Sequence, residues 1–197
     1  MIEKFKNIFE GLKIAYGQYQ KGDKAENGKQ KGKAFIVRKN VSDDLWKNHI
    51  EGKGPALGII PITESNDCKW GCIDIDEYNL NHHDLISRIR NLKLPLVVCR
   101  SKSGGAHVFL FTKDFVPAIR MQNTLKKMAK TLGREGCEIF PKQTEILVER
   151  GDTGNFLNLP YYNEMKGLRY AINDNGAGCT LEEFYKLYDV FACGRQE

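Results

Sequence analysis

Apolar side chains at Ile2, Phe5, Ile8, Phe9, Leu12, Tyr16 and Tyr19 recur at helical spacing, which predicts that the chain opens on an amphipathic helix. From Gln20 to Lys33 the pattern turns polar and rich in Lys and Gly, the signature of a mobile loop. Ser42, followed by Asp43 and Asp44, then caps a short helix carrying Leu45, Trp46 and Ile50. Leu57 to Ile62 is an apolar run of strand length, and Trp70 to Asp76 alternates as a strand.

Asn79 or Asn81 starts a further helix with Leu85, Ile86, Ile89 and Leu92 as its buried stripe. Leu94–Cys99 and His107–Phe111 read as strands joined through a hairpin-like turn, S-K-S-G-G-A. Pro117 opens a helix through Met121, Leu125, Met128 and Leu132, stopped by Gly133. Strands are expected near Cys137–Phe140, Ile146–Val148 and Phe156–Leu159. Thr180 and Glu183 form a capping box for a last helix burying Leu181, Phe184, Leu187 and Val190. This mixed order predicts an α+β (α/β) sheet with helices on one or both faces.

Composition narrows the class. The 197 residues, 41% hydrophobic and 28% charged, suffice for one domain of two lobes sharing a cleft, spanning residues 1–197. No apolar run approaches the ~20 residues of a membrane-spanning helix. The opening M-I-E-K-F-K mixes acids and bases, unlike a secretion signal, so a soluble cytoplasmic protein away from membranes is expected. A net charge of +5 suits a polyanionic partner but moves the odds only slightly. Of the six cysteines, Cys68 and Cys72 have the spacing of half a zinc site. With no second pair and no nearby histidine they read as core thiols, and no structural zinc is expected.

Three segments carry candidate chemistry. In C-I-D-I-D-E-Y, residues 72–78, strand geometry sends Asp74 and Asp76 to one face and Ile73 and Ile75 to the other. Two carboxylates side by side repel each other, and a divalent cation relieves that cost; an edge strand facing water is the bland alternative. In R-S-K-S-G-G-A-H-V-F-L-F, residues 100–111, Arg100, Ser101, Lys102 and Ser103 precede a glycine turn that suits an oligophosphate. His107 begins an apolar strand, where it either donates to a phosphate or satisfies a backbone carbonyl. In G-C-E-I-F-P-K-Q, Glu138 and Lys142 supply either a further metal ligand and a phosphate contact or a plain surface ion pair. Asp152, in a glycine-rich stretch, is a rival third acid.

In this order the segments resemble the archaeo-eukaryotic primase superfamily, closest to the primase-polymerases of mobile elements, CRISPR-linked loci and conflict systems. The likeness rests on the h-D-h-D strand with Asp74 and Asp76, the following Ser103 and His107, and a later acid, Glu138. F-P-K-Q at 140–143, G-N-F-L-N-L-P at 154–160 and W-K-N-H-I-E-G…L-G-I-I-P-I over 46–62 are also similar. The resemblance implies a two-lobed fold, an RNA-recognition-motif-like sheet carrying the acids against an N-terminal α/β module. It implies two divalent ions (Mg²⁺ or Mn²⁺) on Asp74, Asp76 and Glu138, and nucleoside triphosphates held by Ser101, Lys102, Ser103 and His107, with Arg100 and Lys142 in support. The third acid is Asp in many members, and no zinc-binding insertion or helical C-terminal primase domain is visible, so extension is expected over priming from scratch.

The expected activity is therefore template-dependent nucleotidyl transfer, as DNA primase or polymerase, on single-stranded or primed DNA. Basic residues in 20–33 and along the Met121–Lys130 helix are placed to follow a template backbone. A non-catalytic RNA-recognition-like module and a two-metal nuclease remain as alternatives. The abrupt end of the last helix leaves room for a larger replication, repair or defence protein.

Overall fold

A computed structural model describes residues 1–24 and 30–194. Five helices, α1 (Ile2–Ile8), α2 (Asp43–Glu51), α3 (His82–Asn91), α4 (Ala118–Thr131) and α5 (Leu181–Phe191), accompany two four-stranded sheets. The first sheet orders β2 (Gln30–Val37), β1 (Tyr16–Lys24), β3 (Gly58–Ile59) and β8 (Leu157–Asn158). The second orders β5 (Leu96–Arg100), β6 (Ala106–Pro117), β4 (Asp67–Ile75) and β7 (Glu138–Phe140). Every pairing within the two sheets is antiparallel. The mixed α+β class expected from the pattern is the class found.

β4 organises the molecule. It lies between β6 and β7, so its backbone is paired on both sides and its two faces are both covered. Ile73 and Ile75 join Leu85, Ile89, Met121 and Leu125 in a cluster under α3 and α4. Trp70 and Cys72 join Phe9, Phe109, Phe184, Ile59 and Leu157 in a second cluster, which α1, α5 and the first sheet complete. That second face is the one from which Asp74 and Asp76 project, just where the apolar covering ends.

Several expectations are corrected. The opening helix stops at Ile8, and Tyr16 and Tyr19 lie on β1. Gly11 and Gly17 weaken a helix there, and Leu12 donates its N–H to the Ile60 carbonyl at 2.9 Å. The loop placed at 20–33 is mostly the β1–β2 hairpin; residues 25–29 of that stretch lie outside the described residues. Only Gly58–Ile59 of the Leu57–Ile62 run pairs as strand, and Val148–Arg150 is a 3₁₀ turn where a strand was expected. Leu92 and Val190 face outward, 40% and 72% exposed: Leu92 is the C-cap of α3, and Val190 falls on the face of α5 opposite Leu181.

The Thr180–Glu183 capping box is formed in both directions, Glu183 N–H to Thr180 Oγ1 at 3.2 Å and Thr180 N–H to Glu183 Oε2 at 2.8 Å. Cys68 and Cys72 are fully buried but fall in different clusters, since the register shifts between Cys68 and Trp70; the two thiols do not converge. Among the described residues no helix is long and apolar enough to cross a membrane.

Candidate active site

The ladder of the second sheet sets four residues in one row. Cys99 of β5 faces His107 of β6, His107 faces Asp74 of β4, and Asp74 faces Glu138 of β7. Opposed residues share a face of the sheet. His107 Nε2 accordingly lies 3.5 Å from Asp74 Oδ1. Glu138 is turned toward Lys142, its Oε2 2.7 Å from the ammonium.

Asp76 stands two residues beyond Asp74, past the strand end, and accepts the Ser103 hydroxyl at 3.4 Å. Ser103 in turn lies 3.1 Å from Ser101 Oγ, with Ser101 itself buried. The β5–β6 turn makes this possible. Gly104 adopts a left-handed φ of 96°, and Gly105 passes so close to the Ile75 carbonyl that a Cβ there would overlap it. The turn closes through Ser101 N–H to Gly105 O at 2.9 Å. Lys102 sits over the Tyr19 ring, 4.9 Å from its centroid, tying the turn to the first sheet.

Two cavities meet at this row. One, about 410 Å³, is walled by Asp74, Asp76, Ser101, Ser103, Lys102 and Arg169. The other, about 540 Å³, is walled by Phe35, Phe140, Lys142, Asn155 and Phe156. Asp74, His107 and Asn158 border both.

The electrostatics are those of crowded, half-dried charges. Burial, then Glu138, then Asp76 push the Asp74 carboxyl up to about 6, against an opposing pull from Lys142. Burial, helped by the Arg169 cation, lowers His107 to about 4, so its ring is neutral at pH 7. Arg169 is itself held below the usual guanidinium range by burial. Cation and hydroxyl donors thus occupy one wall and carboxylates the floor, which suits an anionic ligand that brings or shares cations.

The donor set of Asp74, Asp76 and Glu138 is all oxygen and mutually repulsive, the chemistry that fits hard divalent ions such as Mg²⁺ or Mn²⁺. Among the described residues no three His, Cys, Asp or Glu side chains converge on one point as they stand. Glu138 is instead engaged by Lys142, its Oε2 2.7 Å from the ammonium.

Of the residues singled out from sequence, Asp74, Asp76, Ser101, Lys102, Ser103 and His107 line one cavity, and Lys142 lines the other. Glu138 stands at the outer edge of the row. Arg100 is not brought in: its guanidinium donates to the Leu168 and Ser101 carbonyls. Asp152 accepts from Leu147 N–H at 3.1 Å and lines neither cavity. Sequence reasoning missed Arg169, Asn158, Phe156 and Tyr19. The alternation in F-L-N-L would have signalled Phe156 and Asn158; nothing local marks Arg169.

This α+β arrangement is consistent with an archaeo-eukaryotic primase-like fold, whose family is generally nucleotidyltransferase-like. The chain belongs to the archaeo-eukaryotic primase domain family of TOTE conflict systems, whose family model it matches over residues 2–172. Comparison with curated proteins returns no significant match.

Proposed function

We propose that the protein performs template-dependent nucleotidyl transfer, adding nucleoside triphosphates to a DNA strand as a primase or polymerase. The observation that carries this reading is the row His107–Asp74–Glu138 across three adjacent strands, with Asp76 and the serine turn at its end. The 3′-hydroxyl loses its proton to solvent as its oxygen bonds the α-phosphorus, the bond from that phosphorus to the bridging oxygen breaks, and pyrophosphate leaves. Two divalent ions, Mg²⁺ or Mn²⁺, held by Asp74, Asp76 and Glu138, supply charge stabilisation at the attacking and leaving oxygens when bound.

The chain's own groups do the holding. Ser101, Ser103 and Lys102 grip phosphate oxygens, with Arg169 lining the same cavity. His107, neutral at pH 7, donates an N–H to the same phosphates. Lys126, Lys127 and Lys130 of α4 join Lys142 along a groove of about 580 Å³ that Glu135 and Glu138 also line. That groove suits a template backbone and makes binding salt-sensitive.

Incubation with Mn²⁺ or Mg²⁺, a primed template and labelled triphosphates tests the reading. Extension by the wild type and its loss in folded Asp74→Ala and Asp76→Ala variants is expected. Normal synthesis by either variant would falsify it. The non-catalytic alternative stacks bases on exposed sheet aromatics; beside the acids Phe109 and Phe111 are 0% and 1% exposed, and the exposed ring of β6, Phe115, lies toward the opposite end of that strand.

A further inference from the structure

The first sheet contributes a surface that the phosphate and carboxylate chemistry leaves unused. On β8 and its flanks, Leu157 and Leu159 belong to the core, 4% and 0% exposed, while Phe156 and Asn158 alternate with them and line the cleft, whose wall Leu157 also reaches. Behind Phe156 lie Gly17 of β1 and Gly58 of β3, which are cross-strand partners. A Cβ on either glycine would overlap the Phe156 ring. Two bare backbone positions therefore form a flat seat for the ring, whose remaining surface lines the cavity beside Asp74 and His107.

Asn158 pairs across the strand with Gly58 and borders both cavities. Its Oδ1 is buried and accepts no hydrogen bond among the described residues. Orphaned buried acceptors are rare because they cost the full desolvation of the group. Such an atom on a cavity wall is matched by a ligand that donates. The phosphates of a nucleotide accept and do not donate when ionised; its sugar hydroxyls and the N–H groups of its base donate, and position distinguishes these two. The sugar is also the part that joins phosphate to base. Asn158 stands between the serine-lined cavity and the Phe156-lined cavity in the same way.

Resting on the nucleotidyl-transfer reading, we propose that Phe156 and Asn158 form the nucleoside-recognition subsite. The Phe156 ring packs against the base, and Asn158 Oδ1 accepts a hydrogen bond from a sugar hydroxyl of the incoming nucleotide. Asn158 is then a specificity-determining residue for the sugar.

The test is equilibrium binding of the whole chain, with Mn²⁺ present, to ATP, 2′-deoxy-ATP, 3′-deoxy-ATP and inorganic tripolyphosphate. In the wild type, removing one sugar hydroxyl is expected to weaken binding about tenfold, the scale of one well-made hydrogen bond. In Asn158→Ala that same removal is expected to change nothing, as a double-mutant cycle requires. Phe156→Ala is expected to weaken all three nucleotides about tenfold, and both variants to keep wild-type affinity for tripolyphosphate, which also reports that the fold is intact. Equal wild-type affinity for the three sugars overturns the subsite without needing any variant, and so does unchanged sugar discrimination in Asn158→Ala. Failure of the wild type to bind any nucleotide overturns the proposed function together with it.

Discussion

Two buried histidines, His49 and His107, are both lowered to about 4 by burial, yet their surroundings differ in kind. His49, on α2, is fully enclosed: Nε2–H donates to the Pro160 carbonyl at 2.7 Å and Nδ1 accepts the Leu57 N–H at 2.9 Å. Those two bonds fix the neutral tautomer and staple α2 to the segments around β3 and β8. His107 has the Asp74 carboxylate at 3.5 Å and two cavities in front of it. Both ring nitrogens of His49 are bonded inside the fold, whereas the ring of His107 faces a carboxylate and open space. The region around His49 is therefore expected to answer in stability and the region around His107 in binding.

The largest expected break in that comparison comes from Asp74→Asn. Nucleotide incorporation should fall by about 10³-fold or more, the scale of losing an essential electrostatic group. The same change should stabilise the metal-free protein. Asp74 has a folded pKa of about 6 against an ordinary 3.8, so the folded state binds more protons between those values and stability falls as pH rises through that window. Asn removes the fall. Chelator-treated Asp74→Asn should gain about 1–3 kcal/mol at pH 7.5 and nothing at pH 3.5, read by denaturant melts at both pH values. An unchanged midpoint at pH 7.5 would show that the carboxylates are not strained.

Next in size is an alanine swap at the two histidines. His49→Ala orphans the Leu57 N–H and the Pro160 carbonyl, so a loss of about 3 kcal/mol is expected in thermal or urea unfolding. His107→Ala should leave stability within about 1 kcal/mol while weakening triphosphate affinity about tenfold, measured by titration. Reversal of the two outcomes would erase the distinction.

Divalent-ion affinity should weaken as Asp74 takes up a proton, by about tenfold per pH unit below about 6; flat Mn²⁺ binding from pH 7 to 5 would argue against the carboxylate site. The smallest effect concerns acid stability. His107 has a folded value of about 4 against 6.5 when free, so the unfolded state binds more protons between them and stability falls as pH drops through that range. His107→Gln should remove roughly 1 kcal/mol or more of that fall, seen as a shallower loss between pH 6.5 and 4.

The second sheet was largely legible because Ile73–Asp76 alternates, β5 and the start of β6 are apolar runs of strand length, and Asn81, Pro117 and Thr180 punctuate the helices. The same alternation brought out the Asp74–Asp76 face. The first sheet was legible only in part. The expected strands at Leu57–Ile62 and Phe156–Leu159 contain β3 and β8, though each pairs over two residues with partners distant in sequence. The β1–β2 hairpin is written largely in Lys, Gln and Gly, so no apolar period marks it. Half of the cleft comes from that sheet, which is why Tyr19, Phe156 and Asn158 escaped. Arg100 and Lys102 look alike in sequence; only the fold sends the first to the Leu168 carbonyl and the second to the Tyr19 ring.

The central placement of β4 has one more consequence. Because both its edges are occupied, the separation between Asp74 and its neighbours on β6 and β7 follows the ~4.8 Å pitch of the ladder and does not depend on loop conformation. The sheet acts as a fixed gauge for whatever the carboxylates enclose. A longer side chain at position 74 would overshoot that gauge, so Asp74→Glu should not substitute for the aspartate even though the charge is kept.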